Sequence, residues 1–470
     1  MTNSPSLPTP SRWLPTLLAI SIFMQMLDAT ILNTALPKMA ADLHESPLNM
    51  QSAVIAYALA LALFMPLSGY LSDRYGSKNV FMTAMALFIL GSLLCALSPN
   101  LPLLVGARVI QGMGGAMLMP VPRLVVLRAY DISQLLTIMN YIIMPALLGP
   151  ILGPLLGGYL VEYASWHWIF LINLPIGLLG LWMSHKIMPN FYAPNHQPLH
   201  FDGLGFFFFG LAAVGLSLSV EMLMHPNAQL LALLSGSLGI MGLCLYIQHA
   251  KRRAEQALYS PKLLWIRTFR LGIIGNLCCR LGMAAVPFLL PLLLQVAFGR
   301  RADIAGWTLA PIACAALLTK PLIKPVIHRF GYRNILIWNT RLIGVIIMLL
   351  ALPDANTPLW LFIPVLFCLG MCNSLQYSAM NTLTLADLRP HQTGSGNSLM
   401  AVNQQLAISF GIALGALLLN YFSHLPSQST QLHLAFRQTF VIIGSITFCS
   451  SWVFKRLHTL DGTNLLSPPK

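Results

Sequence analysis

Charge is what this sequence lacks. Only 9% of its 470 residues are Asp, Glu, Lys or Arg, whereas 56% are hydrophobic; soluble domains carry about 25% charged residues. A soluble fold of this length cannot cover so much apolar surface, which excludes a soluble enzyme or scaffold. Acid is scarcer still, with 13 Asp+Glu against 27 Lys+Arg and a formal net charge of +14. An excess of cations is one footprint of nucleic-acid binding, but the low charge density speaks against that partner. The eight cysteines (Cys95, Cys244, Cys278, Cys279, Cys314, Cys368, Cys372 and Cys449) all fall in apolar stretches with no CxxC pair. No His-x-x-His completes a zinc set, so neither metal nor cofactor is expected. A primary pump lacks its Gly-x-x-x-x-Gly-Lys-Ser/Thr loop, and no His/Cys/Asp cluster offers a membrane enzyme its catalytic set.

What is present is a succession of apolar runs long enough to cross a bilayer, which needs ~20 residues per helix. Interruptions by charge, Pro, Asn or Gly delimit fourteen: 13–36, 50–70, 79–97, 101–122, 134–160, 167–188, 203–223, 228–248, 269–296, 304–325, 335–352, 359–384, 397–422 and 436–456. The first is too long for a signal-peptide core and has no small-residue cleavage site, so it reads as a span. With both termini in the cytoplasm, nineteen Lys/Arg lie in cytoplasmic segments, and only Lys38, Arg300, Arg301 and Arg437 lie outside. That asymmetry is the positive-inside pattern. The excess of cations is therefore mainly an orientation signal.

The spans repeat. A shift of 255 residues carries spans one to four onto spans nine to twelve, and Arg74, Gly76 and Lys78 recur as Arg329, Gly331 and Arg333, while Asp73 becomes His328. The chain reads as an all-α membrane protein of two six-helix bundles, 1–190 and 261–470, with a two-span insert at 191–260. Repetition of spans is a common build for secondary transporters. The polar connections 189–202 and 249–268 flank the insert.

One carboxylate lies deep in a span. Asp28 stands eight residues before Leu36, and Arg108 seven residues after Leu101; at ~1.5 Å per residue both sit roughly 10–12 Å below the outer surface. A fixed ion pair tying two helices is one reading. The other is proton exchange: burial disfavours the carboxylate's charge and Arg108 favours it, so protonation would follow solvent access. Arg280 is a second deep cation, without an acidic partner, and is expected to face water or substrate. Gln25, Asn33, Gln111, Asn373, Gln376 and Gln404 add polar groups that line a cavity or bond between helices. Lys320 and Arg341 lie nearer the cytoplasmic ends and read as interface anchors. In span five, Pro145, Gly149, Gly153 and Gly157 share a stripe, with Pro150, Pro154 and Gly158 alongside, which permits close helix approach or bending.

These residues resemble the major facilitator superfamily, in particular its fourteen-span drug:proton antiporter branch. Leu27-Asp28-Ala-Thr30 through Pro37 is similar to the branch's span-one motif, Gly69 to Lys78 to the loop 2–3 motif, and Arg108 to Gly114 to the span-four motif. Gly149-Pro150 through Gly157-Gly158 resembles the antiporter motif. Trp166-His167-Trp168 through Gly177 resembles the Trp-Arg-Trp signature, with His167 in place of Arg. The resemblance runs through nearly the whole chain. It implies alternating access, a cytoplasmic gate built from Gly69, Asp73, Arg74, Gly76 and Lys78 with Arg329 and Arg333 opposite, and a coupling role for Arg108. His328 departs from the pattern by replacing the second latch acid, so the two gate loops should not be equivalent.

The expected function is therefore proton-coupled export of drug-like small molecules by a protein of a bacterial inner membrane, monomeric and without nucleic-acid partners. Arg108 and Arg280 against Asp28 leave one positive charge in excess, which favours an alternative cargo, an organic anion such as a carboxylate metabolite. A transport-dead membrane sensor on the same scaffold is the remaining alternative.

Overall fold

The computed structural model describes residues 11–192, 201–223, 226–253, 256–389, 392–424 and 432–462. Among them the regular elements are helices and no strand occurs. The first six are α1 (Leu14–Thr34), α2 (Gln51–Phe64, continued by Leu67–Tyr75), α3 (Ser77–Ala96), α4 (Leu101–Ala129), α5 (Ile132–Tyr163) and α6 (Trp168–Ile187). The insert supplies α7 (Gly203–Met222) and α8 (Gln229–Arg253). The last six are α9 (Arg267–Ala297), α10 (Ala302–Leu318, continued by Lys320–Phe330), α11 (Tyr332–Leu349), α12 (Leu359–Leu385), α13 (Thr393–Ser423) and α14 (Leu432–Lys455).

Each of the fourteen apolar runs is thus helical. Among the described residues eleven helices are long and apolar enough to cross a membrane, or thirteen if each bent pair is one span. The 18-residue α11 is outside that count and carries Arg333 and Arg341. The linker residues Pro194 and Pro198 lie outside the described residues.

The helix ends depart from the apolar runs where polar residues continue the backbone ladder. Spans two and ten are not straight but bend by 55° and 60°. The causes are local: Pro66 and Pro321 stand at the start of the second segments, and proline lacks the N–H that would bond back one turn. Each second segment then ends at a glycine with positive φ, Gly76 at 87° and Gly331 at 74°. Glycine enters this left-handed region without the Cβ clash that other residues meet, so it can close one helix and open the next. The two glycines are 255 residues apart, so the repeat extends to backbone conformation.

Packing repeats in the same way. In the first half α1 lies on α5 and α3 on α4; in the second α9 lies on α13 and α11 on α12. The halves meet along two seams, α2 with α13 and α5 with α10, which the repeat interchanges. The helices α7 and α8 pair with one another, and α7 leans on α2 and α13, covering one seam. Asp202 ties the insert's base together: it caps α7 through Gly205 N at 3.0 Å, pairs with His249 Nε2 of α8 at 2.7 Å and accepts from Leu258 N at 3.0 Å.

The two ends of the bundle differ. At the far end, where α1 finishes and α10 begins, one apolar core joins both halves and includes Leu36, Met39, Phe288, Leu292, Ala302 and Phe436. Polar contacts cross there too: Arg301 Nε lies 3.1 Å from Glu162 Oε1, Gln295 donates to Thr34 O at 2.9 Å, and Tyr163 donates to Asp303 at 3.2 Å. At the near end, where α1 starts and α14 finishes, each half has a separate core, one around Phe81 and Val125 and the other around Leu336 and Phe454. A smaller cluster of Ala62, Tyr259 and Val402 joins them only along the seam beneath the insert. The molecule is closed at the far end and parted towards the near end.

Candidate coupling site and cavity

Asp28 and Arg108 meet. Arg108 Nη1 donates to Asp28 Oδ2 at 2.7 Å, and both residues are 1% exposed. Around them a closed network draws on five helices. Gln111 Nε2 donates to Asp28 Oδ1 at 2.8 Å and to Ser92 Oγ at 2.7 Å, while its Oε1 accepts from Arg108 at 2.7 Å. Asn173 Nδ2 donates to Asp28 Oδ1 at 3.0 Å and to Ser92 Oγ at 3.1 Å. Arg108 Nε reaches Ala53 O at 3.3 Å, and its guanidinium lies 4.1 Å from the Tyr57 ring centre.

Two helix features bring these groups together. Gln111 follows Arg108 by three residues, which puts both on one face of α4. Close approach of α3 and α4 then depends on glycine: a Cβ on Gly91 would lie 2.5 Å from the Gln111 backbone, and one on Gly114 would lie 2.4 Å from Ala84 O. The antiporter-like stripe does the same for α1. A Cβ on Gly149 would meet Met26, one on Gly153 would lie 2.1 Å from Thr30 Oγ1, and one on Gly157 would lie 2.3 Å from Ile31 O. Gly158 instead faces Ala302 of α10 across the seam. Pro145, Pro150 and Pro154 all lie inside α5.

The geometry has a chemical consequence. Asp28 Oδ1 accepts from both Gln111 and Asn173, so a proton added there would face a donor and displace it, whereas Oδ2 accepts from Arg108 alone. Both residues of the pair are nonetheless closed off from water. Proton exchange at Asp28 thus requires the helices around it to part, so access to the carboxylate follows helix position.

Several residues expected in a substrate cavity lie elsewhere. Gln111 is wholly buried in the Asp28 network, and Gln376, also buried, ties α11 to α12 by donating to Thr340 Oγ1 at 2.7 Å and accepting from Asn339 at 2.9 Å. Having used their polar atoms between helices, neither offers a free group to a ligand. Gln25 and Asn33 are buried on α1, each with a side-chain oxygen that has no hydrogen-bond partner.

Arg280, Asn373 and Gln404 are partly exposed, and two of them meet Tyr377, whose hydroxyl donates to Gln404 Oε1 at 3.5 Å. The Arg280 guanidinium lies 4.7 Å from the Tyr377 ring centre, while its Nε and Nη2 are buried without hydrogen-bond partners. Gln404 donates to Asn381 Oδ1 at 2.8 Å, and Asn373 Oδ1 is unpartnered. The second half thus holds a cation with unused donors where the first half holds a satisfied pair.

The loop 2–3 residues do not latch one half to the other here. Asp73 pairs with Arg128 of its own half at 2.6 Å. Arg74 bonds Tyr70, and Lys78 Nζ donates to His185 O at 2.6 Å. Gly69 has open space where a Cβ would be, and Gly76 provides the left-handed turn. Across the repeat, Arg329 is exposed and Arg333 reaches Lys455 O at 3.5 Å. His167 stacks on Trp166 with ring centres 3.8 Å apart and sits 2.6 Å from Ser165 Oγ.

Sequence reasoning did not single out Ser92, Tyr57, Asn173, Arg128, Glu162 or Tyr377 as site residues. Asn173 lies in the quoted signature that begins at Trp166, and Arg128 is the second cation after span four, following Arg123. Ser92 and Tyr57 are ordinary span residues whose partners come from other helices, so no local signal marks them.

Comparisons with known proteins agree with this architecture. The family model described as Major Facilitator Superfamily matches residues 18–411 and 272–468. A relative from Haemophilus influenzae, named as a transport protein (HsrA), is 42% identical over 461 residues, covering 97% of this chain and 98% of its own. One from Pectobacterium atrosepticum, named for multidrug resistance (MdtD), is 41% identical over 455 residues, covering 96% of each chain. Among solved structures, an auto-inhibited POT family peptide transporter superposes with a TM-score of 0.69 at 14% identity, covering 98% of this chain and 99% of its own. A D-xylose–proton symporter gives 0.68 at 13% identity, covering 95% and 98%. At such identity the structures speak to the fold alone.

Proposed function

Because this chain belongs to the Major Facilitator Superfamily and is a membrane transporter rather than an enzyme, we propose that it is a proton-coupled antiporter exporting small organic molecules of drug-like character. The observation that carries this reading is the water-excluded Asp28, which a proton can reach only when the helices packed around it part. The halves 1–190 and 261–470 rock about the central site, with 191–260 as a peripheral insert and fourteen spans in all. The termini are cytoplasmic, as the cation distribution argues, so the state closed at the far end is open to the cytoplasm. The site is then poised to receive cargo from within. Proton entry through a bacterial inner membrane supplies the drive, about 2.3 kcal/mol per charge per 100 mV.

Coupling follows from competition at the Asp28 network. In the outward-open state, water reaches the carboxylate, a proton neutralises it, and Arg108 is released from Asp28. Return to the inward-open state discharges the proton and remakes the pair. The loop around Asp73, Arg74 and Lys78, facing Arg329 and Arg333, closes the cytoplasmic side during the outward-open phase. Gly149, Gly153 and Gly157 keep α5 in register with α1 as it moves.

A second cargo class has its own observation in favour. The buried, unpartnered Nε and Nη2 of Arg280 are suited to the oxygens of a carboxylate, which supports an organic anion. The test is efflux from proteoliposomes under an imposed pH gradient, with ethidium-like cations and small carboxylates offered in parallel. Gradient-driven efflux of either class that disappears when the gradient is collapsed supports antiport. Transport indifferent to the gradient overturns it, and the cargo that moves selects between the readings.

A further inference from the structure

A second polar site lies at the near end of the second half, away from the Asp28 network. A cavity of about 390 Å³ is bordered by Lys320, Lys324 and His328 of α10, Tyr332 of α11, and Ser378 and Thr382 of α12. The first three recur every four residues along the Lys320–Phe330 segment, forming one stripe roughly 12 Å long. Ile323 and Ile327, buried beside this stripe, form the apolar part of the cavity wall. All six polar residues can donate a hydrogen bond, and no carboxylate borders the cavity. Among the described residues neither lysine makes a hydrogen bond or ion pair.

The repeat sharpens the contrast. The positions matching Lys320, Lys324 and His328 in the first half are Met65, Gly69 and Asp73. There the segment is neutralised internally, since Asp73 pairs with Arg128. In the second half the acid is gone, two lysines have been added, and space has been left between α10 and α12. Charge alone would be satisfied by bulk water; a concave set of donors from three helices calls for an anion with several acceptor oxygens.

We propose that this cavity binds a phosphate group, carried by the head group of an anionic lipid or by a soluble organic phosphate. Phe330, 55% exposed at the end of the same segment, offers apolar contact to an acyl chain. Basic pockets between membrane helices on the cation-rich side are suited to anionic head groups. Occupancy would fix the bent segment of α10 against α12, and it does not depend on whether Asp28 carries a proton.

The test uses the purified full-length protein in an uncharged detergent. Its thermal stability is titrated with phosphatidylglycerol, with diacylglycerol as the uncharged counterpart, and separately with sodium phosphate against sodium chloride at equal ionic strength. Stabilisation by phosphatidylglycerol alone identifies the lipid source; stabilisation by phosphate also identifies the soluble one. In either case the Lys320→Gln/Lys324→Gln protein should bind about thirtyfold more weakly, a factor of about five for each lysine near the surface. Lys251→Gln/Arg252→Gln, which removes two exposed cations of α8, should bind as wild type. Should the double lysine variant fail to fold, Ser378→Ala/Thr382→Ala serves in its place and should also weaken binding. No stabilisation by either probe, or equal weakening in the α8 control, overturns the site.

Discussion

The two halves of this molecule share their packing but not their polar chemistry. Gly153 lets α5 approach α1, and Gly411 lets α13 approach α9, where a Cβ would stand 2.6 Å from Leu281 O. Both second segments bend after a similar break, and both close on a left-handed glycine. Yet the position matching Asp28 is Met283, and the position matching Gln25 is Arg280. The first half holds an ion pair with its donors and acceptors engaged, and the second holds cations with donors to spare. Backbone contacts are what the repeat preserves, because close helix approach depends on small residues at fixed positions. Polar side chains differ between the halves without disturbing those contacts.

The sharpest way to break this contrast is to remove one partner from the satisfied pair. Arg108→Ala leaves the Asp28 charge buried without compensation, a loss of about 3–5 kcal/mol. A large fall in thermal midpoint and in folded yield is expected; near-wild-type stability would mean the network is not a unit. Asp28→Asn is milder. Its amide group would turn a donor towards Arg108 or towards Gln111 and Asn173, at about 1–3 kcal/mol. The folded protein should still exchange cargo across a vesicle membrane but lose its dependence on the pH gradient, and persistence of that dependence would remove the proton role.

Smaller effects test the second half of the comparison. Asp73→Asn removes a partly exposed pair worth about 0.2–1 kcal/mol, so stability should barely change, and any strong transport defect must come from gate movement. Arg280→Met removes a buried cation without a hydrogen-bonded or acidic partner and loses only its contact with the Tyr377 ring, so the thermal midpoint should hold or rise. Carboxylate efflux should fall while cation efflux is kept; equal losses would count against Arg280 as a ligand.

The smallest effect concerns the insert. Burial pushes the Asp202 carboxyl up, but Gly205 N, His249 and Leu258 N outweigh it and hold it below the usual carboxylate value. A lowered value stabilises the fold above the unfolded carboxylate's range and loses that contribution as pH falls through the folded value. Asp202→Asn should therefore lower stability at neutral pH and flatten its acid dependence below about pH 4. An unchanged acid profile would show that another group controls it.

Much of this was legible from residue order. Asp28 stood out because a carboxylate in a long apolar run is rare, and Arg108 matched it by depth. The glycines of span five could be read as a packing stripe from their spacing. By contrast, residue order left open whether Gln111 and Gln376 line a cavity or bond between helices, and the structure has both bonded between helices, since spacing along one helix cannot say which neighbour fills the facing groove. The bends at Pro66 and Pro321 are encoded locally, but the apolar runs continue through them and conceal the break.

The shortage of charge, the long apolar runs and the uneven placement of cations determined by themselves that this is a helical membrane protein built from a repeat. Those properties follow from the transfer of backbone and side chains into lipid, which each segment settles almost alone. Only the tertiary structure decided which polar groups meet. Gln111 and Asn173 reach Asp28 from two helices and Ser92 braces both from a third, while Arg280 is left with donors unused, because such pairings depend on helix rotation and distance across the bundle.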